Sequence, residues 1–249
     1  MTKNSHSCAT TFLFAVAGFL VTQPATADDK TAFRCVLRST FLITTEHDEE
    51  SVLGMGVLVD EKRKLVLTAA HVVQGRAERR PCALAYSAAR LRNTPRHYLE
   101  NASRLGIAAE LIAVDNLRDL ALVELSKLPE ECHAIRIAEK SSPPGTKIHA
   151  FGHLGSLWTS CWGSTRCVYD KRFRGEHGEE QYKVIEGDWL LLSRASSEVL
   201  VNGEGELIAM TTKLNARNPR SGDFSLDIVE VKAFLHDFSE STIHKVRKP

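Results

Sequence analysis

A histidine at the end of one apolar strand and an aspartate at the mouth of another are the residues best suited to do chemistry together. His71 closes the run Leu65-Val66-Leu67-Thr68-Ala69-Ala70. Packing alone gives no reason for an imidazole there. The small residues ahead of it leave room around the ring, and a strand end is a rigid place to hold one. Such a histidine suits a general base. A base of this kind needs a nucleophile within hydrogen-bond reach and a third group that fixes its tautomer. Asp119 is the candidate for that third group. It stands in Arg118-Asp119-Leu120-Ala121-Leu122, directly before an apolar run. Taken alone, an aspartate at such a place also serves as a turn cap.

The elements that must position these two residues read as short strands. Val57-Leu58-Val59 and Leu65-Val66-Leu67 flank a charged turn, Asp60 to Lys64, which is a hairpin pattern. Ile107 to Val114 and Leu120 to Leu125 form a second pair around a turn at Asp115 to Asp119. Further strands are expected at 32–45, 82–86, 135–138, 147–151, 167–171, 182–185, 199–201, 207–212 and 224–228, with long loops over the rest of 156–180. Only Val229 to Phe238 has helical spacing, with a polar tail expected over 239–249. About a dozen short strands, turn signals at intervals of roughly ten residues and one terminal helix argue for an all-β barrel or sandwich architecture. The length suits two packed barrels.

Composition narrows the class. The chain has 249 residues, 43% of them hydrophobic, and a formal net charge of +1. That balance gives no reason to expect nucleic acid or an anionic membrane as a partner. The apolar run Ala9 to Val21 is short for a membrane span. Pro24-Ala25-Thr26-Ala27 after it offers an A-x-A cleavage site, so residues 1–27 read as a secretory signal peptide. The mature chain is then expected to be secreted or periplasmic, with no membrane span. Cleavage leaves Cys35, Cys82, Cys132, Cys161 and Cys167, and disulfides are plausible in an oxidising compartment. Cys161 and Cys167 would lie ~20 Å apart on a straight strand, beyond the ~7 Å that a disulfide bridges. They can pair only if Gly163-Ser164 turns the chain back. No spacing of cysteine or histidine argues for a metal site, and no metal or organic cofactor is expected.

With these residues in view, the sequence resembles the trypsin-like (chymotrypsin-fold) serine proteases, and within them the bacterial HtrA-type protease domain. Thr68-Ala69-Ala70-His71 is similar to that family's catalytic-histidine motif, and Asp119-Leu120-Ala121-Leu122-Val123 to its catalytic-aspartate segment. Ala109 to Asp115 matches the strand leading into the aspartate. Lys147 to Gly152 resembles the strand before the family's G-N-P turn, with His153 in place of the asparagine. Phe224 to Leu235 resembles the last strand and terminal helix. The resemblance implies two packed six-stranded antiparallel β-barrels over 28–238, a C-terminal helix and a protein or peptide substrate. No PDZ domain is expected after the helix.

The resemblance also supplies the nucleophile. Leu200-Val201-Asn202 and Gly205 to Ala209 match the segments after the family's G-N-S-G-G, and Gly187-Asp188 matches the segment before it. Counting from either side puts Ser196 on the nucleophile. The implied site is His71, Asp119 and Ser196, with the backbone N–H groups of Arg194 and Ser196 as the oxyanion hole. Here the sequence departs from the family: Arg194, Ser197 and Glu198 stand where glycines are usual. An arginine keeps the N–H donor but changes which backbone angles are cheap. Glu198 brings a carboxylate close to a site that develops negative charge. Position 190 is leucine, so an apolar primary specificity is expected over an Arg or Lys preference. Two readings follow: an exported serine endopeptidase with an altered nucleophile loop, and a non-catalytic relative that keeps the fold to bind protein or peptide.

Overall fold

A computed structural model of the chain describes residues 36–45, 52–73, 82–87, 97, 100–154, 157–175, 178–188, 198–214 and 224–246. The expected signal peptide, Cys35, Arg194 and Ser196 lie outside the described residues.

Twelve strands are described: β1 (Thr40–Thr45), β2 (Val52–Asp60), β3 (Leu65–Ala69), β4 (Cys82–Ser87), β5 (Ile107–Asp115), β6 (Leu120–Leu125), β7 (Lys147–Leu154), β8 (Leu157–Gly175), β9 (Gly178–Gly187), β10 (Val199–Asn202), β11 (Leu207–Met210) and β12 (Phe224–Asp227). Helices with described bounds are α1 (Ala70–Val73), α2 (Ala102–Leu105) and α3 (Ile228–Val246). The strands close into two six-stranded antiparallel barrels, in the order β1-β2-β3-β6-β5-β4 and β10-β11-β12-β9-β8-β7. Closure removes the unpaired edges that a chain of this many strands would otherwise expose.

The β2–β3 hairpin shows why its apolar runs are continuous rather than alternating. All five residues of β3 are buried. Val66 joins Phe41, Ile43, Leu58, Ala121 and Val123 in a cluster confined to the first barrel. Leu65 and Leu67, on the opposite face, join Leu42, Met55, Val57, Leu120 and Leu122 in a cluster that runs into the second barrel. Strands covered on both faces lose the period-2 signal. The hairpin turn is set by Asp60, whose Oδ1 accepts the Arg63 N–H at 3.0 Å, and by Lys64 at φ 55°.

The second barrel departs from expectation along 156–180. That span is a long hairpin, β8 against β9, with register from Cys167↔Glu186 to Gly175↔Gly178. The strand expected at 167–171 lies within β8, and charged residues interspersed along it hide its full length from a reading based on apolar runs. Residues 163 and 164 are ordinary ladder positions, paired with Ile148 and Lys147. The turn that would bring Cys161 onto Cys167 does not form, so these two cysteines do not pair with each other. Residues 36–39 form a helical turn rather than the start of a strand. Ile135–Ala138 contributes only a bridge, Ile137 to Leu207. Among the described residues, no helix is long and apolar enough to cross a membrane, and no group of His, Cys, Asp and Glu could hold a metal ion.

Helix α3 closes the second barrel and returns to the first. Ile228, Val231 and Phe234 are buried against the core, and the Arg63 guanidinium of the β2–β3 turn lies 4.8 Å over the Phe238 ring. The helix continues to Val246, beyond the expected end at Phe238. Asp227 caps its start: Oδ1 accepts the Val229 N–H at 3.0 Å and the Ser141 hydroxyl at 2.7 Å. Its Oδ2 is buried with no hydrogen-bond partner. Burial pushes the Asp227 carboxyl above the ordinary aspartate range, against the opposing pull of those two donors.

The folded chain therefore holds this proton more tightly than the unfolded chain. The associated stability is present in acid and is lost as pH rises from the ordinary aspartate range through the raised native value. Asp227→Asn keeps a capping oxygen and stays uncharged. Its melting temperature relative to wild type should climb as pH rises from below the ordinary aspartate value of about 4 to well above it. A difference that stays flat across thermal melts over that range would contradict the assignment.

Candidate functional site

The site is built where α1 and the β5–β6 turn meet. Strand β3 ends at Ala69, and one helical turn, Ala70 to Val73, carries His71 away from the barrel wall. Strand β6 pairs with β3 in the register Ala69↔Leu120, which places residue 119 beside residue 70. The main chain joins them as well: the Ala70 N–H donates to the Asp119 carbonyl at 3.0 Å. Asp119 itself is left-handed, φ 57°, an uncommon conformation for a residue other than glycine. Such a conformation costs about 1–3 kcal/mol and persists where the surroundings over-determine it.

They do so here through three donors. Asp119 Oδ1 accepts the His71 N–H at 2.9 Å. Its Oδ2 accepts the His71 Nδ1–H at 2.8 Å and the Lys213 N–H at 2.6 Å. The side chains of His71 and Asp119 are only 8% and 7% exposed, so these bonds are shielded from water. A carboxylate held this way keeps the imidazole proton on Nδ1 and leaves Nε2 as the acceptor, the state a general base requires. Lys213 follows β11 in the second barrel, so the carboxylate of the first barrel is partly held by the second.

The four sequence-predicted site residues divide evenly. His71 and Asp119 are brought together. Ser196 and Arg194 lie outside the described residues. The described chain resumes at Glu198, one residue before β10, and this side chain is buried. Its Cγ lies against the backbone of Gly152 on β7: a Cβ on residue 152 would stand 2.7 Å from it. The Glu198 carbonyl accepts the Thr211 N–H at 2.9 Å. The Glu198 side chain, at a position where the resemblance leads one to expect glycine, is thus packed against β7. Upstream, the exposed Asp188 accepts both the N–H and the hydroxyl of Ser164 on β8. The Ser164 N–H in particular holds its carboxyl below the usual range. Sequence reasoning missed the Lys213 donor. A backbone N–H carries no residue signature, and only the match around β11 could have pointed to it.

The family described as trypsin-like peptidase domain matches residues 54–210, more than half of the chain and a span that includes His71, Asp119 and Ser196. Among solved structures, the Rv3671c protease of M. tuberculosis in its active form is 16% identical, with 89% of this chain and 93% of that chain covered and a TM-score of 0.62. The inactive form of the same protease is 16% identical, covering 83% of this chain and 92% of that one at a TM-score of 0.58. At that identity the likeness speaks for the fold. No curated protein matches the chain.

Proposed function

The chain belongs to the trypsin-like peptidase family, and from that membership we propose that it is an exported serine endopeptidase working through Ser196, His71 and Asp119. The observation that carries this reading is the His71–Asp119 pair, with Nδ1 held at 2.8 Å by a carboxylate that accepts two further N–H donors. Ser196 Oγ attacks the carbonyl carbon of a peptide bond while His71 Nε2 takes its proton. The oxyanion that forms is received by the backbone N–H groups of Arg194 and Ser196. Collapse of the tetrahedral intermediate breaks the C–N bond, and the imidazolium returns the proton to the departing amine. Water, deprotonated by the same imidazole, then hydrolyses the acyl-enzyme. Asp119 orients His71 and stabilises its charged form. The substrate is a protein or peptide, with an apolar residue favoured before the scissile bond.

Export rests on the apolar run and the A-x-A site ahead of Asp28, with cleavage after Ala27. The second reading, a non-catalytic relative that binds peptides, is favoured by one observation: a buried glutamate at position 198 where the family keeps glycine. Hydrolysis of casein by the full chain separates the two. Cleavage that disappears in folded Ser196→Ala supports the endopeptidase. Folded wild type that leaves casein intact, and captures peptides equally well with and without the Ser196 hydroxyl, supports the binding protein instead.

A further inference from the structure

The turn that carries Asp119 is fastened to the second barrel by a partly buried ionic clamp with no counterpart in the triad itself. Asp115, the last residue of β5, accepts the N–H groups of Leu117 and Arg118 on Oδ1, both at 2.9 Å. Its Oδ2 accepts Arg118 Nη1–H at 2.9 Å. The guanidinium then reaches out of the first barrel. Arg118 Nε–H donates to Glu230 Oε2 on α3 at 2.9 Å. Glu230 Oε1 accepts the Lys183 N–H of β9 at 3.0 Å. The guanidinium also lies 5.4 Å over the ring of Tyr182 on β9. None of these side chains is a freely solvated surface pair: Arg118 is 23% exposed and Glu230 14%.

The next residue along the chain is Asp119. Its left-handed backbone fixes the direction of its carboxylate, and its carbonyl holds Ala70, next to His71. We propose that Arg118 and Glu230 are positioning residues: they clamp the turn before Asp119 to the second barrel and so hold the carboxylate on His71. Arginine suits the task because one planar fork can bond two carboxylates at once. The chain of contacts runs from α3 through Glu230, Arg118 and Asp119 to His71. A displacement of the second barrel relative to the first is thereby passed to the base.

The kinetic arm of the test rests on the endopeptidase reading, whereas the spectroscopic arm does not. Solvent exchange of the His71 Nδ1 proton, measured by NMR on the full chain, reports how firmly Asp119 holds the ring. In Glu230→Ala the exchange should be about tenfold faster, with kcat roughly ten- to a hundredfold lower at unchanged KM. That loss should vanish in an Asp119→Asn background, because both changes act on the same bond. Glu230→Gln and Arg118→Lys, which preserve volume or charge, carry the same test with a smaller expected effect if Glu230→Ala does not fold. An inert wild type in which Glu230→Ala still accelerates exchange sinks the protease reading and leaves the clamp standing. Exchange unchanged in a folded variant, or a kcat loss that persists undiminished beside Asp119→Asn, overturns the proposal.

Discussion

Replacing Asp119 by asparagine is expected to lower kcat about 10⁴-fold while leaving the fold intact. The geometry says why so small a change is so costly. The carboxylate accepts three N–H donors, and asparagine offers one acceptor oxygen and one NH₂ group. With the NH₂ at the Oδ1 position, it faces the His71 main-chain N–H, donor against donor. With the NH₂ at the Oδ2 position, it faces the Lys213 N–H, and His71 Nδ1 must become an acceptor. The ring proton then moves to Nε2, where it occupies the very lone pair that should receive the serine proton. The site is shielded from water, so the unmatched donor is also a stability loss of about 1–3 kcal/mol. Steady-state kinetics on a peptide substrate, together with ¹⁵N NMR of the His71 ring, check both halves. A loss below about tenfold with the proton still on Nδ1 would show that Asp119 is not the orienting group.

Phe224→Ala is expected to remove about 3–5 kcal/mol of folding stability, a large part of the roughly 5–15 kcal/mol that a domain possesses. Phe224 is fully buried in β12. Its ring centroid is 5.6 Å from that of Phe173 on β8, and the Lys171 ammonium lies 4.7 Å over its face. Strand β12 pairs with β9 and β11 and leads directly into α3. A cavity there loosens the strand that delivers Glu230 to Arg118. Denaturant unfolding should show the midpoint fall with little change in slope. A loss below about 1 kcal/mol would mean that β8 and β9 collapse into the space, and that the second barrel is more plastic than its packing indicates.

How much of this was legible in the sequence depended on the kind of interaction. The β2–β3 and β5–β6 hairpins announced themselves, because apolar runs broken by a charged turn have few other readings. His71 and Asp119 were legible for the same reason. Each stands at the end of such a run, and the ladder register Ala69↔Leu120 needs only two antiparallel neighbours to bring them together. Of the β8–β9 hairpin, the strands expected at 167–171 and 182–185 are there, but its full length was not legible. Its outward residues are Lys, Arg, Glu and Asp, and its glycines and tryptophans imitate loop composition. The Arg118–Glu230 pair was hidden by distance: 112 residues separate its members, and only closure of both barrels makes them neighbours. Glu198 was visible as a misplaced residue, but its direction was not. The side chain lies on Gly152 because β10 pairs with β7, and that pairing is a property of the barrel.

Whether Ser196, His71 and Asp119 form a working triad can be read from reaction with a fluorophosphonate. This probe phosphonylates a serine only when an adjacent base and an oxyanion hole activate it. The folded full chain is expected to be labelled, with the adduct placed on Ser196 by mass spectrometry and labelling lost in Ser196→Ala and His71→Ala. A folded wild-type chain that remains unlabelled under conditions in which a control serine protease reacts completely would contradict it.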